Sequence, residues 1–79
     1  MKYVYENMPL STIELIAARY QAKIAAKPSA GALWCLCRDI ETLRAEIDRR
    51  LTRAPAALAA QLKSIDSVLL DCLDTARNV

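Results

Sequence analysis

Three cysteines are the residues of this chain whose type could hold a metal ion or support redox chemistry: Cys35, Cys37 and Cys72. On a helix, residues two apart point roughly 200° away from each other, so Cys35 and Cys37 cannot share one metal ion. The chain has no histidine and no fourth cysteine, whereas a structural zinc site takes four ligands. An odd number of cysteines makes no disulfide framework. We therefore expect three buried structural thiols, with no metal and no cofactor.

The acidic residues do not form the pattern of a catalytic pair. Asp66, Asp71 and Asp74 are spaced so that a helix spreads them over its polar side. Glu46 and Arg50 form a pair four residues apart, of the kind that adds about 0.2–0.5 kcal/mol to an exposed helix. The single glycine, Gly31, leaves no glycine-rich phosphate loop. These charges are interpreted as a solvated helix surface, and the protein is not expected to be an enzyme.

Basic residues could instead contact phosphates. Arg19, Lys23 and Lys27 recur every four residues along one predicted helix, and we call this set the basic stripe. The 11 Lys and Arg residues are nearly balanced by nine Asp and Glu residues, for a net charge of +2, so no strongly positive face is guaranteed. The second predicted helix opens on apolar residues, unlike a helix that enters the major groove. Nucleic-acid or nucleotide binding through the basic stripe is therefore the alternative, not the preferred, function.

The elements that must position these residues are set out by three prolines, Pro9, Pro28 and Pro55. Apolar residues recur at spacings of three and four between them, which is typical of packed helices. The scarcity of turn residues argues against an all-β fold. The prediction is a single all-α domain over residues 1–79, consisting of an N-terminal arm at 1–10 and helices at 12–26, 30–53 and 55–77.

Local signals mark the helix starts. Ser11 and Glu14 have the spacing of a capping box, and Leu10 and Leu15 that of a hydrophobic staple, so the first helix is expected to begin at Thr12. Ser29 is expected to cap the second helix. Pro55 suits the first turn of the third helix, where its missing N–H has no cost.

The short turn at Ala54–Pro55 predicts that the second and third helices form a long antiparallel hairpin. In that register Ile47 lies opposite Leu62, and Ile40 lies opposite Leu69. The first helix is expected to pack across this hairpin through one apolar stripe, composed of Ile13, Ile16, Ala17, Tyr20 and Ile24.

Surplus apolar residues point to protein contacts. Val68, Leu70 and Leu73 lie off the main stripe of the third helix, which favours a homodimer or a partner surface. Trp34 lies beside the core position Leu33, so its ring is either under the first helix or partly exposed. An extended arm at Tyr3–Tyr5 would need a pairing partner or would lie on the helices.

Composition and the absence of targeting signals indicate where in the cell the protein is expected. The apolar fraction is 54%, too high for a disordered chain with so low a net charge. The longest uncharged run, residues 28–37, is about half of the ~20 residues that a membrane helix needs. The N-terminus has no apolar segment of the signal-peptide type. We expect a cytoplasmic protein that binds no membrane, and an Ala-, Leu- and Arg-rich composition favours a bacterial, phage or plasmid origin.

The preferred function from the sequence is that of a small non-catalytic regulator, an adaptor, chaperone or inhibitor, that occupies a partner protein's surface. Aromatic and arginine side chains dominate such interfaces. The predicted partner-binding residues are accordingly the aromatic anchors Trp34, Tyr3, Tyr5 and Tyr20 and the rim charges Arg49, Arg50 and Arg53.

Overall fold

The computed structural model describes residue 5 and residues 7–77, which form three α-helices: α1 (Leu10–Ala25), α2 (Ala30–Leu51) and α3 (Ala56–Arg77). Two interhelical ion pairs, Arg44–Asp66 and Arg77–Glu41, show that α2 and α3 are antiparallel, because residue numbers rise along one helix as they fall along the other. The predicted all-α fold with a helical hairpin is confirmed. Arg44–Asp66 matches the predicted register to within one residue, whereas Arg77–Glu41 joins positions about nine residues away from it.

Helix α1 lies alongside this hairpin and runs in the same direction as α3. Glu14 shares a surface depression with Gln61, and Ala25 shares the next one with Thr75, so residue numbers rise together on the two helices. Helix α3 packs extensively against both α1 and α2, whereas α1 and α2 share a smaller contact. The result is an up-down-up bundle of 38 × 28 × 17 Å.

The core is built from the apolar stripes that the sequence predicts. The fully buried side chains come from all three helices, so the bundle has one common core: Ile13, Ile40, Leu43, Ile47, Leu62 and Leu69. Of the three apolar residues predicted to be surplus, Leu73 is buried and Val68 is half-buried against the core. Only Leu70 is exposed. The apolar surface left for a second protein on α3 is therefore smaller than the sequence suggests, and the homodimer stays a prediction.

The start of α1 differs from the prediction. The helix begins at Leu10, its N-cap is Pro9, and no side chain caps it. The Pro9 carbonyl accepts hydrogen bonds from the backbone N–H groups of Thr12 and Ile13, at 3.1 and 3.2 Å. The prediction of a capping box is therefore wrong. The prediction of a hydrophobic staple is also wrong, because Leu15 is exposed. The physical reason is tertiary: Arg50 of α2 binds the carbonyl of Met8 and so holds the chain just before the helix.

The other helix ends follow the sequence signals closely. The Ser29 hydroxyl accepts from the N–H of Ala32 at 3.4 Å, as predicted. Pro55 lies just before α3 and accepts at its carbonyl from the N–H of Ala59, so it caps the helix rather than forming its first turn. Between α1 and α2, Lys27 has a left-handed backbone with φ of 56°, a conformation that costs a non-glycine residue about 1–2 kcal/mol.

Candidate functional site

Trp34 stands on the outward side of α2. The buried residues Leu36, Ile40, Leu43 and Ile47 mark the side of α2 that faces the core. At about 100° per residue, Trp34 lies about 150° from the centre of that stripe. Its side chain is 63% exposed, so of the two positions that the sequence allows for this ring, the exposed one is observed.

Arg38 lies one turn after Trp34 and covers its ring. The guanidinium carbon is 5.5 Å from the ring centroid, within the range of a cation–π contact, which contributes about 0.5–1 kcal/mol at an exposed site. We call these two residues the Trp34 surface. Sequence reasoning did not select Arg38 for this role, although its spacing of four residues from Trp34 is the signal that would have found it.

The predicted anchors Tyr5 and Tyr20 are used inside the molecule. Their hydroxyl groups hydrogen-bond to each other at 2.7 Å, and Tyr5 is buried while Tyr20 is half-buried. Burial, together with the bond to Tyr5, raises the pKa of Tyr20 above its usual range, which keeps its hydroxyl neutral. The pair fastens the N-terminal arm to α1 and leaves little aromatic area for a partner. Tyr3 lies outside the described residues.

Glu46 is the centre of a buried ionic network, which corrects its interpretation as part of a solvated helix surface. Its side chain is 4% exposed, and its carboxylate accepts from Nε and Nη2 of Arg49 at 3.0 and 2.8 Å and from Nε of Arg50 at 2.7 Å. Arg50 also donates Nη2 to the carbonyls of Tyr5 and Met8, at 2.9 and 2.7 Å. The network ties the N-terminal arm to α2, so Arg50 has a structural role here.

The two remaining predicted rim charges lie far from Trp34. Arg49 and Arg53 are exposed near the end of α2, whereas Trp34 is near its beginning. Fifteen residues of helix separate Trp34 from Arg49, which is about 22 Å along the axis. The structure therefore does not bring the predicted partner-binding residues into one patch. A partner centred on Trp34 would reach Arg49 only by lying along the whole of α2.

The basic stripe is exposed at all of its positions. Arg19, Lys23 and Lys27 are open to solvent, and within the described part of the chain none of them takes part in an ion pair. Arg19 and Lys23 lie on α1, and Lys27 follows it. The stripe and Trp34 therefore belong to different elements.

The cysteines are not all buried. Cys72 is buried and Cys37 is half-buried, but Cys35 is exposed, so the expectation of three buried thiols is wrong for Cys35. Cys35 adjoins the outward Trp34, while the next residue, Leu36, belongs to the core. Burial, and to a smaller extent Asp71, raises the pKa of the Cys72 thiol.

Thiol labelling should separate the three cysteines by rate. In mildly alkaline buffer, Cys35 is expected to react with Ellman's reagent at least about tenfold faster than Cys72, because it is accessible and Cys72 has both less access and less thiolate. Stopped-flow absorbance measures this, and Cys35→Ser should remove the fast phase. A fast phase that keeps its full amplitude in Cys35→Ser would contradict the prediction that Cys35 is the most reactive of the three thiols.

The described residues contain no cluster for a metal ion and no membrane-spanning helix. Among residue 5 and residues 7–77, no three side chains of the types that bind metals come together. None of the helices in that part of the chain combines the length and apolar character needed to cross a bilayer. Comparison of the chain with protein-family models, curated proteins and solved structures returned no match.

Proposed function

We propose that this protein is a small non-catalytic regulator that acts by occupying the surface of a partner protein. The observation that carries the proposal is the 63% exposure of Trp34 on the outward side of α2. Leaving a tryptophan in water forgoes hydrophobic stabilisation of about 25 cal/mol for each Å² of apolar surface. A partner that covers this ring recovers that free energy, and tryptophan is among the residues most enriched at the energetic centres of interfaces.

Arg38 supports the same function. By lying over the ring at 5.5 Å, it restricts the rotamers of Trp34 before binding, which lowers the entropy lost when the interface forms. Its guanidinium also offers N–H donors beside the ring for a carboxylate of the partner. Tryptophan and arginine on successive turns thus combine an apolar anchor with a polar contact, the composition typical of an interface centre.

Substitution of Trp34 tests the proposal. Trp34→Ala is expected to weaken partner binding at least about tenfold, since interface anchors contribute about 2 kcal/mol or more. Circular dichroism should change little, because the removed ring is mostly in solvent. The measurement is quantitative mass spectrometry of proteins captured at high salt from nuclease-treated lysate of the source organism.

The matched control is Leu15→Ala, which removes a similarly exposed apolar side chain, 55% exposed on α1. It should capture the same partner as the wild-type protein. Equal capture by the wild-type and Trp34→Ala proteins would remove Trp34 from the site. Failure of the wild-type protein to capture any protein stoichiometrically would count against the regulator function itself.

The alternative function is nucleic-acid binding through the basic stripe, favoured by the exposure of Arg19, Lys23 and Lys27. The same capture experiment without nuclease distinguishes it. Phosphate contacts release counterions, so such binding weakens steeply with salt, by about one power of the salt concentration for each contact. A hydrophobic partner interface changes little over the same range. Nucleic acid that salt elutes, without a retained protein, would establish the alternative.

A further inference from the structure

Two surface depressions lie next to each other between the parallel helices α1 and α3. One depression of about 380 Å³ lies between Glu14 and Gln61, and a second of about 220 Å³ lies between Ala25 and Thr75. Both are lined by Gln21, so they adjoin, and we call the two together the furrow. From Glu14 to Ala25 its length is about 16 Å, which corresponds to three turns of a helix.

The lining of the furrow has the small side chains that let another helix approach. Its α1 side carries the small side chains of Ala17, Ala18 and Ala25, and Ile65 and Val68 contribute apolar surface from α3. Small residues let the ridge of another helix enter closely between two neighbours. A helix lying here would pack against both α1 and α3, and would extend the three-helix bundle to four.

The charged residues that line the furrow indicate which kind of partner helix would bind there. The furrow is lined by two carboxylates, Glu14 near one end and Asp71 near the other, and by no lysine or arginine. This stands out in a chain whose net charge is +2. Glu14 of α1 lies at the level of Gln61 on α3, and Gln61 is ten residues before Asp71. The two carboxylates are therefore about 15 Å apart along the furrow, which is close to three helical turns. A polyanion such as nucleic acid would be repelled from this furrow.

A second copy of this chain fits less well. Two copies joined through their furrows would bring four lining carboxylates, and no lining cation, into one interface. Like charges brought together in an interface are unfavourable and act against the wrong partner. The charge of the furrow therefore favours a partner of different composition.

We infer that the furrow between α1 and α3 is a docking site for a basic amphipathic helix of a partner protein. The partner helix presents small or apolar side chains to the furrow. It places two lysine or arginine residues about eleven positions apart, on one face, to meet Glu14 and Asp71. The furrow and the Trp34 surface lie on opposite sides of the bundle, because Trp34 points away from α1 and α3. The inference does not depend on the proposed role of Trp34.

Two synthetic peptides test this inference. Each has about 20 residues with a helical Ala and Leu stripe. One carries lysine at the two positions that face the carboxylates, and the other carries glutamate there. Fluorescence anisotropy with the purified full-length protein is expected to show at least tenfold tighter binding of the lysine peptide. Equal binding of the two peptides, or no binding of the lysine peptide, would overturn the inference.

Variants of the protein assign the binding to the furrow. The double variant Glu14→Lys, Asp71→Lys should reverse the peptide preference. The matched control Asp48→Lys, Asp74→Lys makes the same change in net charge at exposed residues outside the lining and should keep the preference for lysine. If both double variants reverse it, net charge and not the furrow is responsible, and the inference is wrong.

Two further variants separate the remaining outcomes. Ala18→Trp, at an exposed position in the lining, should fill the furrow and abolish binding of the lysine peptide without loss of helicity. Trp34→Ala should leave peptide binding unchanged, so failure of one site does not imply failure of the other. If sedimentation equilibrium shows a wild-type dimer that Ala18→Trp dissociates, a second copy occupies the furrow and the inference is overturned.

Discussion

Replacing Glu46 by alanine is expected to lower the free energy of unfolding by about 2–4 kcal/mol. The carboxylate is almost wholly buried and accepts hydrogen bonds from both Arg49 and Arg50. Without it, Arg50 is left half-buried beside two carbonyl groups of the arm and has no anion to balance its charge. The expected loss is below that for a fully buried pair because both arginines keep some contact with water. Urea denaturation followed by circular dichroism measures it.

The control for this prediction is Glu41→Ala. Glu41 also pairs with an arginine, Arg77, but at 3.7 Å and with both side chains well exposed, so its loss is expected to cost at most about 1 kcal/mol. Glu46→Gln, which keeps the shape and one acceptor oxygen, should fall between the two. A Glu46→Ala variant no less stable than Glu41→Ala would show that the network does not hold the arm.

Most of the bundle follows from local signals in the sequence. The spacing of Leu36, Ile40, Leu43 and Ile47 identifies the buried face of α2, because a helix returns to the same side every three or four residues. Prolines place the breaks between helices to within a few residues. A turn too short for any other connection makes α2 and α3 antiparallel. Each of these features depends on neighbours in the chain, so one sequence is enough to predict it.

Features that depend on distant residues were not predictable in the same way. A glutamate four residues before an arginine has the same pattern whether the pair is exposed or buried. Glu46 is buried because the arm returns to α2, through a hydrogen bond from Arg50 to Met8 across 42 positions of sequence. The same contact fixes the entry to α1 and overrides the capping-box pattern. Local spacing carries no information about such a return.

In the candidate site, too, some features follow from local sequence and others depend on distant residues. Residue type favours Tyr5, Tyr20 and Arg50 as interface residues, yet these side chains bind within the molecule. Trp34 stays exposed because its position on α2 points away from the core stripe and α1 does not cover its ring. Helical spacing left both positions of the ring open, and the packing of α1 decides between them. To predict the furrow between α1 and α3, one must know that the two helices run in parallel. The local sequence pattern of each helix does not contain that information.

The adjacent pair Leu69 and Leu70 provides the second prediction with a large effect. Leu69→Ala is expected to lower the free energy of unfolding by about 3–4 kcal/mol, because truncating a fully buried leucine loses its transfer free energy and leaves a cavity. Leu69 is 0% exposed, whereas Leu70 is 45% exposed. Leu70→Ala is expected to cost less than about 1 kcal/mol. Urea denaturation of both variants, with the unfolding slope compared, checks the prediction.

This pair isolates burial from helix propensity, since both variants make the same replacement at neighbouring positions of α3. A chain of this size has a total stability of roughly 4–12 kcal/mol, so Leu69→Ala removes a large part of it and Leu70→Ala does not. Equal losses at the two positions would mean that α3 is rotated about its axis. The ion pair of Asp66 with Arg44 and the furrow beside α1 would then both be misplaced, because each requires the same rotation of α3 that buries Leu69.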